Sequence, residues 1–123
     1  MQAIGEAVGF VEQSGASAQA LFQTRFVLEE MGTNILKYGY RDSLTHQVHF
    51  EVDVEAGSIC FKLMDDGHEF DPTTAPPPDT TQPLEERPLG GLGLALVRKL
   101  VRRLEYQRHA GRNIVTVVID RRA

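Results

Sequence analysis

The chain has 123 residues, 41% of them apolar and 24% charged, with a net charge of −4 and a pI near 5.5. That length suits one domain around a single hydrophobic core, and the acidic balance argues against a general nucleic-acid binder. The single cysteine, Cys60, excludes an intramolecular disulfide and a thiolate metal cluster, and no apolar run approaches the length of a membrane span.

Ile4, Val8 and Val11 recur at helical spacing, in spite of Gly5 and Gly9, and predict a first helix over residues 4–12. Ser14 and Gly15 make a loop, and Ser17 is placed to cap a second helix running from about Ala18 to Tyr38, with Gly39 as its stop. Within it lies FVLEEMGTNILKYGY. Leu21, Val27, Leu28, Met31 and Ile35 gather on one side of this helix, and Glu30 and Asn34 lie one turn apart on the flank of that stripe. Glu29 points well away from Asn34. A polar pair at the edge of a core face either lines a pocket or marks an ordinary boundary.

Turn chemistry at Arg41-Asp42-Ser43 precedes a strand in which Val48, Phe50, Val52 and Val54 alternate with polar residues. Glu55-Ala56-Gly57 is a hairpin-sized connection, and Ile59, Phe61 and Leu63 mark a second strand. Cys60, inside the run Ile59-Cys60-Phe61, reads as a buried, inert thiol. The strand ends in Asp65-Asp66-Gly67, either a plain turn or a carboxylate aimed into a pocket to accept from a ligand amine. Residues 73–87, TTAPPPDTTQPLEER, hold four of the six prolines and almost nothing apolar. A loop of that length is usually a lid, a binding loop or a disordered segment.

Gly90, Gly91 and Gly93 then open a helix predicted over Leu94 to Leu104, with Leu96, Val97, Leu100 and Val101 on one face. Glycines before a helix let backbone approach a ligand, and free N–H groups with the helix dipole favour an anion. The spacing is neither a Walker A loop nor a dinucleotide fingerprint. The basic run RKLVRR, with Arg108, Arg112, Arg121 and Arg122 beyond it, is a solvated helix face or a contact for phosphate or an acidic partner. A turn at Ala110-Gly111 and alternation from Asn113 to Asp120 predict a closing hairpin. The order of elements suggests an α+β sandwich, helices covering one face of a sheet. The opening residues lack a charged-then-apolar signal pattern, so the expected location is cytoplasmic.

E-x-x-x-N on a helix, D-x-G at a strand end and a glycine turn opening a helix after a lid stand here in order. Together they resemble the Bergerat-fold ATP-binding superfamily of gyrase, a heat-shock chaperone, sensor histidine kinases and MutL. EEMGTNILKYGY, DDGHEFDP and GGLGLALVRKL are most similar to the small stand-alone anti-sigma-factor serine kinases of bacteria, over roughly residues 20 to 120. The resemblance implies a single ATP-binding domain over residues 1–123, a two-layer sandwich with a mixed, mostly antiparallel sheet, and an ATP lid at about 72–89.

It further implies Mg²⁺ held by Asn34, since that ion takes few protein ligands beside phosphate and water oxygens. Glu30 would be the general base or would orient the attacking hydroxyl. Asp65 would accept from the adenine amine, and Gly67 would let the purine approach. Gly90, Gly91, Leu92 and Gly93 form the phosphate turn. Lys37 and Arg87 are phosphate neighbours or surface charges, and Asn113 or Thr116 is the polar residue near adenine.

The implied activity is ATP-dependent serine phosphorylation of an anti-anti-sigma-type protein, sequestration of a sigma factor, or both, with a homodimer among the expectations and no membrane or direct nucleic-acid partner. The alternative is a non-catalytic, nucleotide-dependent binding module. The catalytic half of a sensor histidine kinase fits less well, because no phosphoacceptor helix pair is evident. A metal-dependent hydrolase built on His46 and His49 fits least. Two departures stand out: Glu69 occupies a position where many relatives carry glycine, and the sequence starts directly in a helix-like stretch, so the family's usual strand before the first helix is either absent or lost to truncation.

Overall fold

The computed structural model describes residues 2–38, 48–74 and 91–121. Two helices come first, α1 (Gln2–Gln13) and α2 (Ala18–Tyr38), followed by strands β1 (His49–Val54) and β2 (Ser58–Asp65). Helix α3 (Gly91–Leu100) and strands β3 (Arg103–His109) and β4 (Arg112–Asp120) complete the order. Ser17 caps α2 as expected, its Oγ accepting from the Ala20 N–H at 3.0 Å. Arg121 ties this loop to the sheet: its carbonyl accepts from the Ser17 N–H at 3.2 Å, and its guanidinium donates to the Ser14 carbonyl.

The strands form one sheet in the order β1-β2-β4-β3, and each neighbouring pair is antiparallel. The sheet is thus simpler than the mixed one expected, with no parallel pairing among the described strands. Alternation assigns the two faces. Ile59, Phe61 and Leu63 of β2 and Val115, Val117 and Ile119 of β4 are buried on the inner face. Against them pack Ile4, Ala7, Val8 and Val11 of α1, Ala20, Val27, Leu28 and Met31 of α2, and Leu94 and Val97 of α3. Each large side chain fully buried here contributes roughly 1.5–3 kcal/mol, so the covered face outweighs the helix cost of Gly5 and Gly9.

Helix α3 spans Gly91–Leu100, starting earlier and ending earlier than predicted. Arg102 N–H already donates to the Val118 carbonyl at 2.8 Å, and Leu104 pairs with Val117 in the sheet. The run RKLVRRL suits either state locally, and the open edge of β4 captures its second half. Leu94 and Val97 form the buried face of α3, whereas Leu96 is 43% exposed. Cys60 is half-buried on the outward face of β2. Burial, ahead of the neighbouring charges, pushes its thiol pKa up and keeps it protonated near neutral pH.

Candidate functional site

At one end of the sheet the inward-facing positions of three adjacent strands change from apolar to polar. Leu63 gives way to Asp65, Val115 to Asn113, and Tyr106 to Arg108. The register sets Asp65 opposite Asn113, and Asn113 opposite Arg108. Asp65 and Asn113 are only 4% and 3% exposed, so each must find partners inside the protein or in a ligand. Asp65 Oδ1 accepts from the Gly67 N–H at 2.8 Å and from Asn113 Nδ2 at 3.1 Å. Both bonds fall on one oxygen, and among the described residues Oδ2 accepts none.

The Gly67–Phe70 turn is held against the strands by the same groups. Asn113 Nδ2 donates to the His68 carbonyl at 2.7 Å, and Arg108 Nη1 donates to the Gly67 carbonyl at 2.7 Å. Asn113 Oδ1 accepts from Tyr106 Oη at 2.5 Å and Arg108 Nη1 at 3.1 Å. Burial, followed by the nearby Glu69 carboxylate, pushes the Tyr106 phenol above its ordinary value, so it stays a donor at neutral pH. Immediately downstream, Asp71 Oδ1 accepts from the Thr73 N–H at 2.9 Å, and Arg98 of α3 donates to the Thr73 carbonyl at 3.4 Å.

Helix α2 forms the facing wall. Asn34 is 4% exposed, and its Nδ2 donates back to the Glu30 carbonyl at 2.7 Å. Its Oδ1 is buried, with no hydrogen-bond partner among the described residues. Met31, Asn34 and Ile35 face Leu63, Asp65, Asn113 and Val115 across a pocket rimmed by His68, Phe70 and Pro72. The enclosed part of the pocket is about 20 Å³, room for roughly one water.

Glu30 is half-buried and lies against Gly93 in the first turn of α3. A Cβ at position 93 would collide with the Glu30 carboxylate, so glycine is what lets this acid settle there. The helix N-terminus favours the carboxylate electrostatically. Glu29, turned away from Asn34, is on the surface, 3.7 Å from Arg25.

Of the residues singled out from the sequence, Asn34, Asp65 and Asn113 line one pocket, with Gly67 at its edge. Glu30 meets Gly93 one helical turn from Asn34. Gly91 and Leu92 lie in the first turn of α3, and Lys37 lies in the last turn of α2. Arg87, Gly90 and most of the lid lie outside the described residues. Thr116 pairs with Lys62 and Glu105 on the outward face of the sheet, away from the pocket, so of the two last-strand candidates only Asn113 reaches it. Sequence reasoning missed Tyr106 and Arg108, which a register-aware reading of the inward positions would have found.

The model of the histidine kinase-like ATPase domain family matches residues 2–119. Over 101 residues, 82% of this chain and 71% of the relative, the sequence is 28% identical to the serine/threonine-protein kinase BtrW of Bordetella bronchiseptica. The fold is similar to that of Acinetobacter baumannii histidine kinase AdeS, with a TM-score of 0.54 at 20% identity over 84% of this chain. It is also similar to the histidine kinase domain of the Erythrobacter litoralis EL346 blue-light activated histidine kinase, with a TM-score of 0.59 at 15% identity over 94% of this chain. The chain spans 48% and 62% of those two structures, and at these identities the likeness concerns the fold.

Proposed function

The chain belongs to the histidine kinase-like ATPase domain family, and on that premise we propose that it is an ATP-binding regulatory serine protein kinase of the anti-sigma-factor type. Its substrate would be an anti-anti-sigma-like protein, and a sigma factor would be the partner it sequesters. The observation that carries this reading is the buried, unpartnered amide oxygen of Asn34, in one pocket with the Asp65 carboxylate and one turn from Glu30. Similarity to a serine/threonine-protein kinase supports the choice of acceptor.

In this reading the purine lies along the mouth of the pocket, its 6-amino group donating to Asp65, with Gly67 leaving room beside the ring. Asn34 Oδ1 would hold Mg²⁺: a neutral oxygen with no protein donor to lose suits an ion that keeps few protein ligands. The chemistry gained from the ion is neutralisation of charge on the phosphate oxygens. Backbone N–H groups of Gly91, Leu92 and Gly93 at the start of α3, with Gly90 before them, receive the phosphates. Lys37 and Arg87 would be phosphate neighbours, as the family resemblance implies. Glu30 takes the proton of the incoming serine hydroxyl, or orients that hydroxyl, from its seat against Gly93. Residues 72–89 act as the lid, and the bond from Arg98 to Thr73 links the start of that segment to α3.

The test is incubation with γ-labelled ATP, Mg²⁺ and a candidate anti-anti-sigma-type protein. The wild type is expected to transfer label to a serine, and Glu30→Ala to lower the rate by about 10²–10⁴-fold. Affinity of Glu30→Ala for ATP should stay within about threefold of wild type, since an interaction made only in the transition state leaves ground-state binding alone. Nucleotide binding without transfer by the wild type would overturn the kinase reading in favour of a nucleotide-dependent binding module.

A further inference from the structure

Resting on the reading of this pocket as a purine site, we propose that Tyr106 and Arg108 of β3 are positioning residues that set selectivity for the 6-amino group of adenine, acting through Asn113 on Asp65. The Asn113 side chain lies between two sets of groups of opposite character. On one side are donors: the Tyr106 hydroxyl at 2.5 Å, Arg108 Nη1 at 3.1 Å and the Phe70 N–H at 3.5 Å. On the other are acceptors: Asp65 Oδ1 at 3.1 Å and the His68 carbonyl at 2.7 Å. Only one amide orientation satisfies both sides. Rotating it by 180° would set the NH₂ against three donors and the carbonyl against a carboxylate and a peptide oxygen.

That arrangement uses both Asn113 N–H bonds and crowds its oxygen with three donors, so the amide has no donor capacity left for a base. Its effect on a ligand passes through Asp65. With Oδ1 held by Asn113 and Gly67, the carboxylate is fixed in rotation, and Oδ2 is the oxygen left to meet a donor from the pocket. A fixed, buried acceptor favours a purine that donates at position 6 and rejects one that does not, because it would otherwise stay desolvated and unpaired.

Tyr106 and Arg108 keep this device from loosening. Without their hydrogens, Asn113 Oδ1 loses its two shorter partners, the amide is free to rotate, and Asp65 loses its orientation. Arg108 has a second hold on the same device through the Gly67 carbonyl, so it fixes the turn that supplies the other Asp65 donor. Neither residue needs to touch the nucleotide.

The test measures equilibrium affinity of the whole chain for Mg·ATP and for Mg·purine riboside 5′-triphosphate, which lacks the 6-amino group. The proteins are wild type, Tyr106→Phe, Arg108→Gln and the double variant. Wild type is expected to prefer ATP by about tenfold or more. Each single variant should shrink that preference at least about threefold and the double variant should bring it near unity, while affinity for the purine riboside nucleotide moves less than about twofold. A merely structural role would weaken both nucleotides together and leave the ratio intact, which overturns the proposal, as does a ratio unchanged in all three variants. Arg108 is exposed, so Arg108→Gln keeps the test available should Tyr106→Phe fold poorly. Wild type binding both nucleotides equally would overturn this inference together with the Asp65 contact but leave nucleotide binding standing, whereas wild type binding neither would overturn the purine-site reading as well.

Discussion

At Asn34, stability and binding pull in opposite directions. Its amide oxygen is buried without a partner, a state that costs roughly 1–3 kcal/mol. Asn34→Leu, which keeps the γ-branched shape, is expected to raise ligand-free stability in urea by about 1 kcal/mol, less whatever the lost bond to the Glu30 carbonyl contributed. The same substitution should abolish the Mg²⁺-dependent part of ATP affinity. A variant that loses stability yet keeps its Mg²⁺ dependence would show that the oxygen is satisfied within the fold. The E-x-x-x-N spacing was legible because the helical period alone brings Glu30 and Asn34 together and turns Glu29 away. Their different depths were not legible, since both lie on the flank of the apolar stripe. Asn34 is 4% exposed and lines the pocket, while Glu30 stays half-buried against Gly93, which leaves it a place.

Among the elements, α2 was the most legible, with apolar spacing, cap and length all agreeing. Its start depends on Ser17, whose hydroxyl serves the Ala20 N–H. Ser17→Ala is expected to lower stability by about 1 kcal/mol, measured as a shifted urea midpoint at constant slope. An unchanged midpoint would mean that the two links to Arg121, from the Ser17 N–H and to the Ser14 carbonyl, hold the loop without the cap. The boundary between α3 and β3 was not legible. Helix propensity carries no penalty at Arg103 and Leu104, and only the free edge of β4 converts them to strand. The closing hairpin was readable from Ala110-Gly111, where both residues take positive φ, 52° and 77°, as a two-residue turn between right-twisting strands requires.

For the whole molecule, the pocket lies between layers: α2 on one side, β2 and β4 beneath, and the Gly67–Phe70 turn across the rim. A ligand there bridges α2 and the sheet, whose contact is otherwise apolar packing in the core, so binding should appear as global stability. At a nucleotide concentration 100 times Kd, Mg·ATP is expected to add about 2.7 kcal/mol, read as a melting temperature several degrees higher. No shift at millimolar nucleotide, with or without Mg²⁺, would remove the basis for every role assigned to the pocket. No described helix is long and apolar enough to cross a membrane.

By itself the sequence determined the element order, the α+β class, the inward ladder of apolar residues, and the Glu30/Asn34 and Asp65/Gly67 pairs, since each rests on a local period or a local turn. Tertiary structure decided what depends on register between distant segments. It sent Thr116 and Cys60 to the outward face, took Arg103 and Leu104 into the sheet, and set Asp65, Asn113 and Arg108 in one row. A strand's alternation says which residues share a face, but only its hydrogen-bonded neighbours decide which residues stand side by side. Glu30 and Asn34 owe their meeting to a single helix. Asp65 and Asn113, 48 positions apart, owe theirs to the pairing of β2 with β4.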